Sequence, residues 1–249
     1  MTENVFINFT WLWIAVAIAV FVLLHFVKAP YGRHTSKNWG PMVSNKWGWF
    51  FMELPALLLM PLLAIFGERE KDVLSWILIC LWSLHYINRT LIFPFRIKTE
   101  GKKMPLFIVL SAVFFNGVNG FLNGYWLGFL APGDKSFLSW NVLLGLMLFF
   151  AGMYINQKTD TKLIALRAKN EGYQIPKGWL FKYISCPNHF GEILEWTGFA
   201  LAAWSLPGAT FAIWTFCNLA PRAFAHHKWY KAHFKDYPKD RKALIPFVK

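Results

Sequence analysis

The chain has 249 residues, 56% of them hydrophobic and 19% aromatic, and its 26 Lys and Arg against 13 Asp and Glu give a formal charge of +13. A mean hydropathy of +0.35 excludes an ordinary soluble domain. The three cysteines, Cys80, Cys186 and Cys217, are widely spaced with no CxxC pair, so neither a disulfide framework nor a zinc site is expected.

Taken in chain order, apolar runs fall at roughly 11–27, 48–66, 73–95, 105–130, 139–155, 190–204 and 207–221. Several reach the ~20 residues that cross a bilayer core. The first run lacks the basic flank and small-residue cleavage site of a signal peptide, so it reads as a retained helix. Only Ser205 to Gly208 separates the last two, which predicts a tight helical hairpin. Outside the runs, from the N-terminal tail onward, Lys plus Arg number 0, 4, 2, 4, 1, 6, 0 and 8. This alternation predicts an all-α, multi-pass integral membrane protein. It is a bundle of seven transmembrane helices with the N-terminus outside and the C-terminus cytosolic. Most of the positive charge then lies on one face, where it suits anionic lipid or a phosphate-bearing cofactor rather than nucleic acid. No internal repeat or low-complexity stretch is present, so the chain reads as a single membrane domain over 1–249.

Polar groups inside these runs are the candidate chemistry. Glu53 lies in WGWFFMELPALLLMPLLAIF and Tyr86 in VLSWILICLWSLHYINRTLIFPF. An ionisable group in such surroundings costs a few kcal/mol and is retained for a job. A carboxyl and a phenol suit proton management or polarisation of a buried carbonyl. After the fifth run, Asn156, Asp160 and Arg167 stand at i, i+4 and i+11, within roughly 40° of one another around a helix. Amide and carboxylate suit ribose hydroxyls or a carboxamide, and a guanidinium suits phosphate. A solvated helix end explains the same spacing. Arg222, His226 and Tyr230 recur at i, i+4 and i+8 and extend a nucleotide site, or form a basic helix lying on lipid. Asn188 and Glu192 are an i, i+4 pair, with Glu195 one turn beyond. These carboxylates are expected to face the bundle interior, against a polar ligand or an Arg or His of a neighbouring helix. Asn116, Asn119 and Asn123, interleaved with Gly117, Gly120 and Gly124, read as helix packing. The seven histidines show none of the HxxxH or HxxHH spacings of membrane di-iron enzymes, so no metal is expected. No GxGxxG follows a strand and no P-loop occurs.

Together these residues resemble the steroid 5α-reductase family, the 3-oxo-5α-steroid 4-dehydrogenases. The similarity covers essentially the whole chain. It is most specific in NQKTDTKLIALR, GYQIPKGWLFKYISCPNHFGEILEWTGFALAAWSLP, RAFAHHKWY and FKDYPKDRKALIPF, and is joined upstream by APYGRHT, ELP, HYINRT and NGFLNGYWL. The resemblance implies a seven-helix bundle, NADPH as hydride donor from the cytosolic side, and a lipid-soluble Δ4-3-oxosteroid as substrate. Residues 1–135 would form the substrate side and 136–249 the cofactor side. It places the catalytic pair on Glu53 and Tyr86. Cofactor contacts fall on Asn156, Asp160, Arg167, Asn188, Glu192, Arg222, His226 and Tyr230, with Tyr31 and Arg33 from the first cytosolic loop. Phe93 and RIKTEGKKMP depart from the family segment after the third span, and Asn88 and Ala225 stand where animal members carry histidines. A monomer without metal or nucleic-acid partner is expected, in a bacterial inner membrane or the endoplasmic reticulum. Other readings are reduction of a different lipid enone, an S-adenosylmethionine-dependent membrane methyltransferase, and a proton-coupled transporter with Glu53 as its proton site.

Overall fold

The apolar runs become helices because a chain in hydrocarbon must satisfy its backbone internally. The computed structural model describes residues 1–30, 32–99, 101–133, 136–169 and 172–248. Its helices are α1 (Glu3–Phe26), α2 (Asn45–Phe66), α3 (Val73–Ile87), α4 (Phe93–Arg96), α5 (Leu106–Tyr125), α6 (Trp140–Lys169), α7 (Pro187–Ala203) and α8 (Leu206–His233). Asp72 starts α3 by accepting the Ser75 N–H at 2.8 Å. A π-helical turn at Asn88–Ile92 joins α3 to α4. Pro94 contributes to that wide turn, since it offers no N–H to the carbonyls before it. A second π turn, Trp126–Leu130, ends α5.

Among the described residues, five helical stretches are long and apolar enough to cross a membrane: Glu3–Phe26, Asn45–Phe66, Val73–Arg96, Leu106–Leu130 and Trp140–Ala168. The chain is thus an all-α membrane protein. The expected sixth and seventh runs form the expected hairpin, but differ in kind from the other five. Helix α7 has 17 residues, and α8 is apolar only as far as Pro221, before Arg222, His226, His227, Lys228 and Lys231. Trp204 makes the tight turn in the left-handed region, with φ 43°, and Ser205 accepts the Gly208 N–H at 3.2 Å.

Close approach is built in by glycine where α6 meets α7. A Cβ on Gly191 would lie 2.6 Å from the Asn156 backbone N, and one on Gly152 would lie 2.3 Å from the Glu195 N. Polar side chains on those two helices are therefore brought into reach of each other. The core between α2, α3, α7 and α8 is aromatic. Trp82 and Trp196 are fully buried with ring centroids 5.2 Å apart, Trp196 lies 4.5 Å from Phe211, and Trp82 Nε1 donates to the Ala56 carbonyl at 2.8 Å.

The two ends of the bundle are chemically distinct. At one end Arg69 donates through Nε to the Leu127 carbonyl at 3.2 Å, and Lys71 donates to the Gly67 carbonyl at 2.5 Å. At the other, two short strands that the sequence did not reveal, Met42–Ser44 and Lys103–Pro105, pair antiparallel and fasten the loops before α2 and α5 together. The C-terminal segment folds back at this second end, where Ser185 N–H donates to the Lys242 carbonyl at 2.9 Å. Two further contacts join basic segments there: Arg96 donates to Thr161 Oγ1 at 2.8 Å, and the His34 ring lies 5.8 Å from that of His226.

Candidate active site

Glu53 and Tyr86 reach one place from two helices. Glu53 lies on α2 ahead of Pro55, and Tyr86 on the last turn of α3, where its ring packs 5.1 Å from Trp82 and 5.8 Å from Trp196. Tyr86 is 3% exposed. Asn116 of α5 sits between them: its Nδ2 donates to Glu53 Oε2 at 3.1 Å, and its Oδ1 faces the Tyr86 hydroxyl at 3.5 Å. A phenol and a carboxyl thus converge in a mostly apolar wall, where hydrogen bonds to a ligand are stronger than in water.

Arg89 connects this pair to the next set. It lies on the π turn, one turn past Tyr86, with its guanidinium 3.7 Å from Glu53 Oε1 and 3.7 Å from Asp160 Oδ2. The Trp49 and Phe93 rings flank it at 5.1 and 4.7 Å. Removing such a cation would leave Asp160, and Glu53 whenever it is ionised, without a counter-charge, the costly half of a buried ion pair.

Asn156, Asp160, Asn188 and Glu192 form the second set. Asn156 Nδ2 donates to the Asn188 carbonyl at 3.1 Å and to Glu192 Oε2 at 3.2 Å. Asn156 and Asp160 are buried, while Asn188 and Glu192 are half-buried. Arg167 shares their helix stripe but is exposed. A position i+11 lies about 16 Å along the axis, so a shared angle does not bring it to the same ligand atom.

Arg222 and His226 face α1 instead and line a cleft with Leu24, Lys28, Ala29 and His34. The His226 ring lies 5.8 Å from both His34 and His189, which joins this cleft to the start of α7. Tyr230 is buried farther along, stacked on Tyr237 at 5.4 Å and 9°. Beside it, Ser185 Oγ lies 2.6 Å from both His227 Nδ1 and the Tyr237 hydroxyl. Burial together with Lys231, Arg241 and Lys242 pushes His227 down to about 4, so this clasp holds a neutral imidazole. Tyr31 lies outside the described residues, as does the Arg33 side chain. Among the described residues, no group of three or more His, Cys, Asp or Glu is arranged to hold a metal ion.

The family description "3-oxo-5-alpha-steroid 4-dehydrogenase" matches residues 102–249. Over 236 residues the chain is 43% identical to the steroid 5-alpha-reductase DET2 of Arabidopsis thaliana, covering 91% of this chain and 90% of that protein. It is 40% identical to the DET2 of Gossypium hirsutum over 94% of this chain and 93% of that protein. Identity to the 3-oxo-5-alpha-steroid 4-dehydrogenase 1 of Bos taurus is 44%, over 94% of this chain and 93% of that protein. The chain belongs to the 3-oxo-5-alpha-steroid 4-dehydrogenase family. As a member of that family it is an oxidoreductase acting on a CH–CH bond.

Within this family member, sequence reasoning passed over Arg89 and His85. Arg89 stands three residues after Tyr86 in an apolar run, and that placement alone could have marked it. His85 Nδ1 pairs with Glu195 Oε1 at 2.8 Å in full burial. This is the interior His partner from a neighbouring helix that a carboxylate on α7 called for.

Proposed function

We propose that this enzyme uses NADPH to reduce the Δ4 double bond of 3-oxo-Δ4-steroids to 5α-3-oxosteroids. The observation that carries the reading is the convergence of Tyr86 and Glu53 on one buried spot, linked through Arg89 to the polar wall of Asn156, Asp160, Asn188 and Glu192.

The donor set fits a phosphate-bearing dinucleotide. Arg89 offers a guanidinium to a pyrophosphate, and Arg222, His226 and Lys28 form a cationic cleft that suits a further phosphate. Asn156, Asp160 and Glu192 offer the amide and carboxylates that hydroxyls and a carboxamide need. His189 Nδ1, buried without a hydrogen-bond partner next to His226, is a polar atom that a bound ligand would satisfy. Arg167, Tyr230, Tyr31 and Arg33 complete the proposed contact set.

When bound, NADPH supplies a hydride to the β-carbon of the enone, C5 of a Δ4-3-oxosteroid. The protein's part is to stabilise the negative charge that develops on the C3 carbonyl oxygen. Tyr86 donates its hydroxyl to that oxygen, and Glu53 in its protonated form donates a second hydrogen bond. The aromatic wall of Trp82, Trp196 and Phe211 keeps the oxygen from water, which strengthens both bonds. A proton added at C4 completes the reduction.

The same reading gives the chain seven spans, with α7 and α8 crossing as a hairpin, the N-terminus outside and the C-terminus cytosolic. Residues 1–135 then supply the steroid side and 136–249 the NADPH side. Detergent-purified protein should oxidise NADPH only when testosterone or progesterone is present. NADPH binding without turnover of these steroids would move the substrate to another lipid enone. Failure to bind NADPH would overturn the reading.

A further inference from the structure

Three asparagines on α5 are buried, and two of them cap a carbonyl of their own helix and make one bond to another: Asn119 Oδ1 accepts from Trp13 Nε1 at 3.3 Å, and Asn123 Nδ2 lies 3.5 Å from the Pro207 carbonyl. Asn119 Nδ2 donates to the Phe115 carbonyl at 2.8 Å, and Asn123 Nδ2 donates to the Asn119 carbonyl at 3.0 Å. Both bonds span four residues, the usual back-bonding of a short polar side chain on a helix. Asn116 departs from this pattern: it makes no bond within its own helix and reaches α2 and α3 at the catalytic pair. Its Nδ2 donates to the Met52 carbonyl at 2.5 Å and to Glu53 Oε2 at 3.1 Å, while its Oδ1 faces the Tyr86 hydroxyl at 3.5 Å. A primary amide has two N–H donors and one carbonyl, and each of these meets a partner in or beside the catalytic pair. Asn116 is itself 3% exposed, so these partners are not replaced by water.

The geometry points to Asn116 as a positioning residue that holds Glu53 and Tyr86 at their common focus. This inference rests on the reductase reading above. Helix α2 needs such a tether. Pro55 brings no N–H to the turn that contains Glu53, so that turn lacks one rung of its ladder. Donation to Met52 O ties the loosened turn to α5, and donation to Glu53 fixes the carboxyl on it. The contact with Tyr86 has a second consequence. The Asn116 carbonyl accepts the phenol proton as an enone carbonyl does, so it keeps the hydroxyl aimed at the focus before substrate arrives. At 3.5 Å that bond is weak and is readily exchanged for a shorter one to the substrate oxygen. Asn116 acts through Tyr86 and Glu53 and touches neither reacting carbon.

A double-mutant cycle separates this role from simple packing. Asn116→Leu keeps the number and branching of side-chain heavy atoms and removes both donor and acceptor. It should lower kcat by ~100-fold, the scale of a misplaced catalytic group, while NADPH affinity stays unchanged and the steroid KM moves less than about threefold. In a Tyr86→Phe background the same substitution should cost about tenfold or less, because one of the two groups it positions is already gone and only its hold on Glu53 is left to lose. Asn116→Ser, which replaces the amide by a smaller group that still donates and accepts, should retain more kcat than Leu, and it carries the cycle if the Leu variant fails to fold. Equal losses in the two backgrounds, or wild-type kcat in Asn116→Leu, would overturn the positioning role while leaving the reductase reading intact. No steroid turnover by the wild-type protein would overturn both.

Discussion

A phenol donates its proton at any pH below about 10, whereas a carboxyl donates only when protonated. Tyr86 and Glu53 should therefore respond differently to substitution. Tyr86→Phe removes a donor outright and should lower kcat by about 100- to 1,000-fold, as loss of one oxyanion donor does elsewhere. Glu53→Ala should do the same, but Glu53→Gln keeps an N–H donor and should retain part of the activity. Steady-state kcat across the three variants checks this, and equal activity in all three would contradict the oxyanion role. Both residues were legible in the sequence because a carboxyl and a hydroxyl stand out in an apolar run. Asn116 was not, since its partners lie on two other helices, 63 and 30 residues away in the chain. Its spacing with Asn119 and Asn123 pointed only to packing.

Helical periodicity tells which residues share a face, but not what that face meets. Asn156 and Asp160 proved buried, but their partners come from elsewhere: Asn156 meets Asn188 and Glu192 of α7, Asp160 meets Arg89 on the turn after α3, and Arg167 on the same stripe is exposed. The Asn156 contact depends on how close α6 and α7 lie, and glycine sets that distance. Gly191→Ala would place a methyl 2.6 Å from the Asn156 backbone N, so the helices must separate. The expected cost is about 1–3 kcal/mol of stability, with weaker NADPH binding because Asn156 shifts from Glu192. Gly117→Ala is the control: its Cβ would meet nothing within 4 Å, and on α5 it should be neutral or stabilising by up to about 1 kcal/mol. Thermal midpoints in detergent, with NADPH titrations on both variants, test the pair. An unchanged midpoint and unchanged NADPH affinity in Gly191→Ala would contradict the role given to this contact.

At the scale of the whole molecule, the alternating basic loops were the most legible feature. The segments they predicted on one side are the ones joined by the short two-stranded sheet and by the fold-back of the C-terminal segment onto Tyr183 and Ser185. Neither fastening could be read beforehand, since three-residue strands and a single parallel bridge leave no periodic signal. A fluorescent-protein fusion, which folds only in the cytosol of a bacterial host, should be bright at the C-terminus and dark at the N-terminus. Brightness at both ends would require an even number of spans and exclude the seven-span arrangement. The central claim is a hydride delivered to an enone whose carbonyl oxygen is held by Tyr86 and Glu53. It is tested most directly by following isotope from NADPH deuterated at its transferable position into a Δ4-3-oxosteroid, with the product analysed by mass spectrometry and NMR. The account predicts one deuterium, at C5 in the α configuration, with the C4 hydrogen coming from solvent, and loss of the product in Tyr86→Phe. Deuterium at C3, which would mark direct reduction of the carbonyl, or an undiminished rate in Tyr86→Phe would contradict it.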